Sequence, residues 1–271
     1  MFINKLSPSK LQVYSDCKLK YKLRYIERLS EDLNPNLNTD ALQYGSYIHK
    51  IFEDGNDATT IEELEQLAED LRPNYHFPDE KMKNTQKSLE NFLALQEKLR
   101  SKTEDVSTEM AFSVDCGNDI ALNGIIDRVV KNENGEYLVI DYKTSKRAKT
   151  KMDLFKDPQM VIYAFAIAQM FKVPVNKIRC AHYYPHLDKL VDIQYTQAHV
   201  NNEVKKAIQK VWEIRKKKAD EFPPRPNTFC RWCPFYTVCP KGEGSEKLLS
   251  EALAADKEKK AAKKTEKDKA S

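Results

Sequence analysis

No run among the 271 residues is apolar for long enough to cross a membrane, since a spanning helix takes about 20 consecutive apolar residues. The opening stretch MFINKLSPSK also lacks the apolar core of an export signal. Glycine is scarce, at 7 residues, and no Gly-x-x-x-x-Gly-Lys loop occurs, which excludes the phosphate loop of nucleotide hydrolases. Neither sign of charge dominates. Lys and Arg total 45 against 41 Asp and Glu, and the balance of +4 permits a polyanionic partner without arguing for one. Six cysteines without an export signal read as reduced thiols or metal ligands rather than disulfides. Together these absences imply a soluble, cytoplasmic protein. With 41% hydrophobic residues the chain can build one large domain, expected over residues 1–245.

The most informative stretch is Gly124 to Thr144, GIIDRVVKNENGEYLVIDYKT. Two apolar runs each deliver an acidic residue, and Asn132 to Gly135 supplies a turn between them, which predicts a hairpin. The first run places Asp127 among apolar neighbours; the second ends in Asp141, Tyr142 and Lys143. Alternate side chains of a strand share a face, so Asp141 and Lys143 project together with the Tyr142 carbonyl near them. Two carboxylates and an ammonium in fixed relation suit metal-assisted attack of water on a phosphodiester. A hairpin with surface charges produces an Asp-x-Lys triplet too. Asp127 fits that alternative poorly, because a carboxylate among apolar residues is costly unless a metal or a base partners it.

Around this hairpin the pattern alternates between helix and strand. Ser7 before Pro8 opens an expected long amphipathic helix to residue 29, carrying Cys17, and Asp40 opens a second, with Gly45, His49 and Glu53 on one face. Residues 58–102 read as a helical insertion, with a capping box at Thr60 and Glu63. From Thr108 the period becomes that of a strand leading into the hairpin. Asp157-Pro158 opens an apolar helix to about Phe171, two strands follow within residues 178–195, and Gln197 to Lys218 is a long helix. Residues 246–271 are a charged, flexible tail.

Gly124-Ile-Ile-Asp127-Arg128 followed by Asp141-Tyr-Lys143-Thr144 resembles the core motif of the PD-(D/E)XK nucleases, in the RecB-like branch. Gly45-x-x-x-His49 matches that branch's metal-ligating His motif, and Gln159-x-x-x-Tyr163 its polar pair that lines the active site and contacts nucleic acid. A lone His is equally what a packed or solvated helix face gives, and the apolar residues around Gln159 suit a core helix. The resemblance implies an α/β, restriction-endonuclease-like fold: a mixed central sheet flanked by helices, an N-terminal helical part and a C-terminal cysteine-bound cap. It implies Mg- or Mn-dependent cleavage of DNA, with His49, Asp127, Asp141 and the Tyr142 carbonyl on the metal, Lys143 positioning water, and Gln159 and Tyr163 on the substrate strand. Family members often carry Glu at the position of Glu109, which otherwise reads as a solvent-facing strand residue. The activity implied is that of an exonuclease on single-stranded ends, with any helicase or recombination partner supplied in trans. A nuclease-like module that binds DNA without cutting it, as part of a repair or CRISPR-adaptation complex, is the other class.

The second cluster is Cys230-x2-Cys233-x5-Cys239, within a cap over residues 225–242. Three sulfurs this close call for a metal centre, and Cys17 can complete the set if the first helix packs beside this loop. A structural zinc normally shows two paired ligand groups, whereas one distant cysteine plus a triplet suits a 4Fe-4S cubane. The pattern resembles iron-sulfur RecB-like nucleases, including AddB-type and CRISPR-adaptation relatives; zinc is the runner-up. Trp232, Phe235 and Tyr236 with Arg225 and Arg231 could stack on a single strand or pack on the metal site. Cys116 and Cys180 fall in strand-like segments and read as packed thiols.

Overall fold

The structure, a computed structural model, describes residues 5–35, 37, 39–218 and 220–269. It comprises two compact units, one of Met1–Pro8 with Thr39–Trp212, the other of Ser9–Asn38 with Glu213–Ser271.

In the larger unit the hub is β3 (Ala121–Asn132), the strand that carries Asp127. The hairpin expected from the sequence is present: β4 (Tyr137–Tyr142) pairs antiparallel with β3 from Arg128↔Ile140 to Lys131↔Tyr137, and Gly135 at φ +71° makes the turn. Strand β2 (Thr103–Asp115) pairs with β3 from Asp115↔Ala121 to Thr103↔Asn132, and so begins five residues before the alternating pattern at Thr108. The two-residue β1 (Lys5–Leu6) lies parallel to the start of β3. Beyond β4, β5 (Ile178–Tyr184) is parallel and β6 (Lys189–Gln194) antiparallel, which makes the sheet mixed, in the order β1-β3-β4-β5-β6 with β2 on β3. A parallel neighbour needs a long crossover. Here it is α6 (Lys151–Phe155) and α7 (Pro158–Phe171), the latter capped by Asp157, whose side chain accepts the Gln159 N–H.

Helix α3 (Asp40–Asp54) packs Tyr47, Ile48, Ile51 and Phe52 into the main core, with α4 (Ile61–Leu71) and α5 (Thr85–Arg100) from the expected insertion. Phe52 and Phe92 stack at 4.0 Å between centroids, and the Tyr142 ring meets both edge-on. This aromatic knot fixes α3 against the end of β4. The capping box at Thr60 and Glu63 forms as the sequence predicts. Arg128 is 1% exposed, and its charge is met by a bidentate pair with Asp105. The long helix α8 (Gln197–Lys216) ends at its basic residues as expected.

In the second unit the expected long N-terminal helix is interrupted. It runs as α1 (Pro8–Asp16) and α2 (Lys18–Tyr21), with a wide helical turn over Lys22–Ile26. Cys17 stands between them in extended geometry, φ −159° and ψ 115°, and its sulfur accepts the Lys20 N–H as the cap of α2. Residues expected to trail as a charged tail form α9 (Glu246–Lys269). Its anchor is Leu249, buried in a small core with Leu19, Leu23, Leu29 and Phe235. Among the described residues no helix is long and apolar enough to cross a membrane.

Candidate active site

Helix α3 brings His49 to the sheet because Gly45, one turn earlier, has no side chain. A Cβ there would lie 3.3 Å from Thr144 Oγ1, so glycine permits a close approach to the residues after β4. His49 Nδ1 then sits 3.5 Å from Asp127 Oδ2, and the same carboxylate oxygen accepts the Tyr142 N–H at 2.8 Å. Gly124 serves the same end on β3: a Cβ would come within 2.8 Å of the Phe112 ring.

Glu109 completes the group. It lies on β2 between the paired residues Thr108↔Arg128 and Met110↔Ile126, hence across from Asp127. Its φ is +46°, a left-handed conformation that costs a non-glycine residue on the order of 1–2 kcal/mol. The strained backbone coincides with the cluster. Ligand atoms of His49, Glu109 and Asp127 all lie within 4.8 Å of one another, the one such trio among the described residues. They line a cavity of about 500 Å³ with Gly45, Ile125 and Thr144.

Asp141 lies alongside, 2% exposed, with Lys143 Nζ at 2.5 Å from its Oδ2. Lys143 also donates to Gln159 Oε1 at 3.4 Å; Gln159 Nε2 donates to the Tyr163 hydroxyl, and that hydroxyl donates to the Ile125 carbonyl, both at 2.7 Å. Tyr163 is thus a buried support under Gln159 and Lys143. Of the basic run after the hairpin, Lys149 is engaged by Asp157 at 2.7 Å and Lys151 by Asp192 at 3.6 Å, while Lys146 and Arg147 are exposed.

The charges are arranged to want a cation. Burial, then the Asp141 charge, pushes the Asp127 carboxyl well above the usual carboxylate range. Burial and the neighbouring Glu53 charge also raise Glu109. Burial lowers His49 against the pull of Asp141, which favours the neutral, metal-ligating imidazole. Lys143 is the exception: burial works to lower it, but Asp141 outweighs that and holds the ammonium above its ordinary value. One imidazole nitrogen and carboxylate oxygens, partly exposed and next to a second carboxylate, are a donor set that fits a hard divalent cation.

The second unit gathers the other predicted cluster. Cys17, Cys230, Cys233 and Cys239 all line one cavity of about 630 Å³. The Lys20 and Arg225 N–H groups each donate to Cys17 Sγ at 3.5 Å, and the Asn227 N–H to Cys230 Sγ at 3.2 Å. Backbone donors aimed at sulfur suit thiolates. Phe235 is in the core of this unit, whereas Phe229 and Trp232 are exposed. Cys180 is buried beneath the Met160 carbonyl in the larger unit, and Cys116 lies at the turn after β2.

Residues 5–240 match the sequence profile of the PD-(D/E)XK nuclease superfamily, and the chain belongs to it. The mixed sheet with flanking helices is the restriction-endonuclease-like fold of that superfamily. Among curated proteins it is similar to the B-type component of the ATP-dependent helicase/deoxyribonuclease of Streptococcus pyogenes. Identity is 25% with serotype M49 strain NZ131 and 26% with serotype M6 strain ATCC BAA-946 / MGAS10394, in each case over 76% of this chain and 20% of the relative. The chain spans about a fifth of the length of these relatives. A solved Eubacterium rectale structure described as a candidate exonuclease superposes with a TM-score of 0.50 at 14% identity, covering 82% of this chain and 84% of that one, which supports the fold alone.

The raised Asp127 carboxyl gives a signed prediction. A group whose native pKa lies above its unfolded one costs no stability below the ordinary carboxylate range, and costs progressively more as pH rises toward the native value. In chelator at neutral pH, Asp127→Asn keeps an oxygen for the Tyr142 N–H and loses the buried charge, so it should raise the melting temperature. Each 1 kcal/mol gained appears as about 2–4 °C. Saturating Mn should reverse the order, stabilising the wild type alone. A lower melting temperature for the variant in chelator would show that Asp127 is already held as a well-compensated anion.

Proposed function

We propose that this chain is a RecB-like, metal-dependent deoxyribonuclease that hydrolyses phosphodiester bonds, acting as an exonuclease on single-stranded DNA ends in recombination, repair or replication. The observation that carries this reading is the trio of His49, Glu109 and Asp127 within 4.8 Å, beside the buried Asp141–Lys143 pair. Mg or Mn would be held by His49, Glu109 and Asp127, with Asp141 and the Tyr142 carbonyl completing the set. Bound there, such a cation supplies Lewis-acid polarisation of the phosphate and an acidified water. The chain's own residues do the rest. Lys143, kept protonated by Asp141, orients the attacking water and offsets charge at phosphorus. Gln159 fixes the Lys143 ammonium and faces the substrate strand; Tyr163 acts through Gln159, since its hydroxyl is already committed to Ile125. The exposed Lys146 and Arg147 contact flanking phosphates. The curated relatives couple a deoxyribonuclease to a helicase by name. These 271 residues hold no phosphate loop, so we assign unwinding to a partner in trans, in the cytoplasm.

Asp141→Asn and Lys143→Ala should each abolish cleavage while leaving DNA affinity within a few fold, because they remove a metal ligand and the water's partner rather than the groove. Labelled single and double strands, blocked at either end and incubated with Mg or Mn, read this directly. Retained cleavage in either variant moves the active site elsewhere. Binding without any cleavage by the wild type favours the non-cutting module instead.

The second unit, in our reading, holds a 4Fe-4S cluster on Cys17, Cys230, Cys233 and Cys239. Four thiols around one cavity, with backbone donors on two of the sulfurs, support it. Protein purified without oxygen should be brown and carry about four irons per chain. Serine at any of the four should cost iron, whereas Cys116→Ser and Cys180→Ser should leave iron content unchanged. A colourless preparation with one zinc per chain would replace the cluster by zinc.

A further inference from the structure

Behind Asp141 lies a buried histidine that the reaction scheme does not use. His182, on β5, pairs in register with Asp141 on β4, and is 0% exposed. Its Nε2 is 3.8 Å from Asp141 Oδ2 and 3.8 Å from Asp157 Oδ2, and has no hydrogen-bond partner among the described residues. Each of these carboxylates already has a lysine: Lys143 on Asp141, Lys149 on Asp157. The pocket is therefore balanced with a neutral imidazole, and a protonated ring would leave an excess buried cation. Burial accordingly holds the ring well below its usual range.

The tautomer is fixed as well. The Tyr184 hydroxyl accepts the Lys149 N–H at 3.0 Å, so its own proton is free to be donated, and His182 Nδ1 lies 3.4 Å away. With Nδ1 as acceptor, the single ring proton sits on Nε2, facing the two carboxylates. We propose that His182 is a positioning residue of the metal site: a neutral Nε2–H, oriented by Tyr184, that steadies Asp141 from its buried side and ties it to Asp157, the cap of the helix carrying Gln159. Outer-shell partners of this kind set ligand orientation, and their loss costs roughly 10–100-fold in metal affinity. The inference rests on the reading of Asp141 as a metal ligand.

Calorimetric titration of the full chain with MnCl2 tests it, with histidine 15N NMR as a second readout. His182→Phe, which keeps the ring volume, should weaken Mn binding at least about tenfold, while DNA affinity without metal stays unchanged. Tyr184→Phe should weaken Mn binding in the same direction by a smaller factor. Excess Mn should restore the kcat of both. In the wild type the 15N spectrum should show His182 as the Nε2–H tautomer. Asp141→Asn separates the two claims: if it leaves Mn binding intact, both the ligand reading and this inference fail. If Asp141→Asn weakens Mn binding but Tyr184→Phe and His182→Phe do not, or if His182 carries its proton on Nδ1, the inference alone is overturned. Should His182→Phe fail to fold, Tyr184→Phe and the wild-type tautomer decide it.

Discussion

The larger unit depends on confining negative charge where water cannot solvate it. Asp127 and Asp141 end up adjacent because hairpin register and the parallel β4–β5 pairing leave them nowhere else to go. Each neighbouring feature answers that constraint. The Tyr142 N–H and the His49 ring meet Asp127, Lys143 meets Asp141, and Gly45 removes the one atom that would hold α3 away. Isolated buried carboxylates would otherwise be protonated or unfold the sheet. A divalent cation relieves the remaining repulsion, so the energy stored in folding the site returns as metal affinity.

The second unit answers a different problem. Its small core, around Leu19, Leu23, Leu29, Phe235 and Leu249, joins segments from both ends of the chain. A loop of some two hundred residues separates Cys17 from Cys230, and in the chain-entropy model closing such a loop by a covalent link stabilises by about 5 kcal/mol. Four thiolates on one cluster would give that closure. The break at Cys17 serves the same purpose, since extended backbone there places its sulfur against the Lys20 and Arg225 N–H groups.

Much of this was legible in the residues because function and folding conflict there. Asp127 stands out in an apolar strand, and Asp141 with Lys143 at a strand end reads by period alone. His49 could be placed on a helix face by its four-residue spacing, but its approach to Asp127 depends on the Gly45 contact, which spacing does not reveal. Glu109 was harder still: alternation puts it on a strand, and only a positive φ, which non-glycine sequence does not announce, accompanies its place beside Asp127. Tyr163 was visible as a polar partner of Gln159, but its burial follows from the Ile125 carbonyl, a contact 38 residues away in the chain. His182 carried a faint signal as a polar residue in the apolar strand Ile178–Tyr184. Its meaning needed the register with Asp141, which is a property of the sheet.

The central claim is that His49, from a helix, and carboxylates from three different strands converge on one divalent cation. Pulsed EPR of the Mn-loaded protein reads that convergence without requiring turnover. The account predicts one bound Mn with hyperfine coupling to a single imidazole nitrogen, and loss of that coupling in His49→Ala. Mn that binds with no nitrogen coupling, or a coupling that survives in His49→Ala, would contradict it.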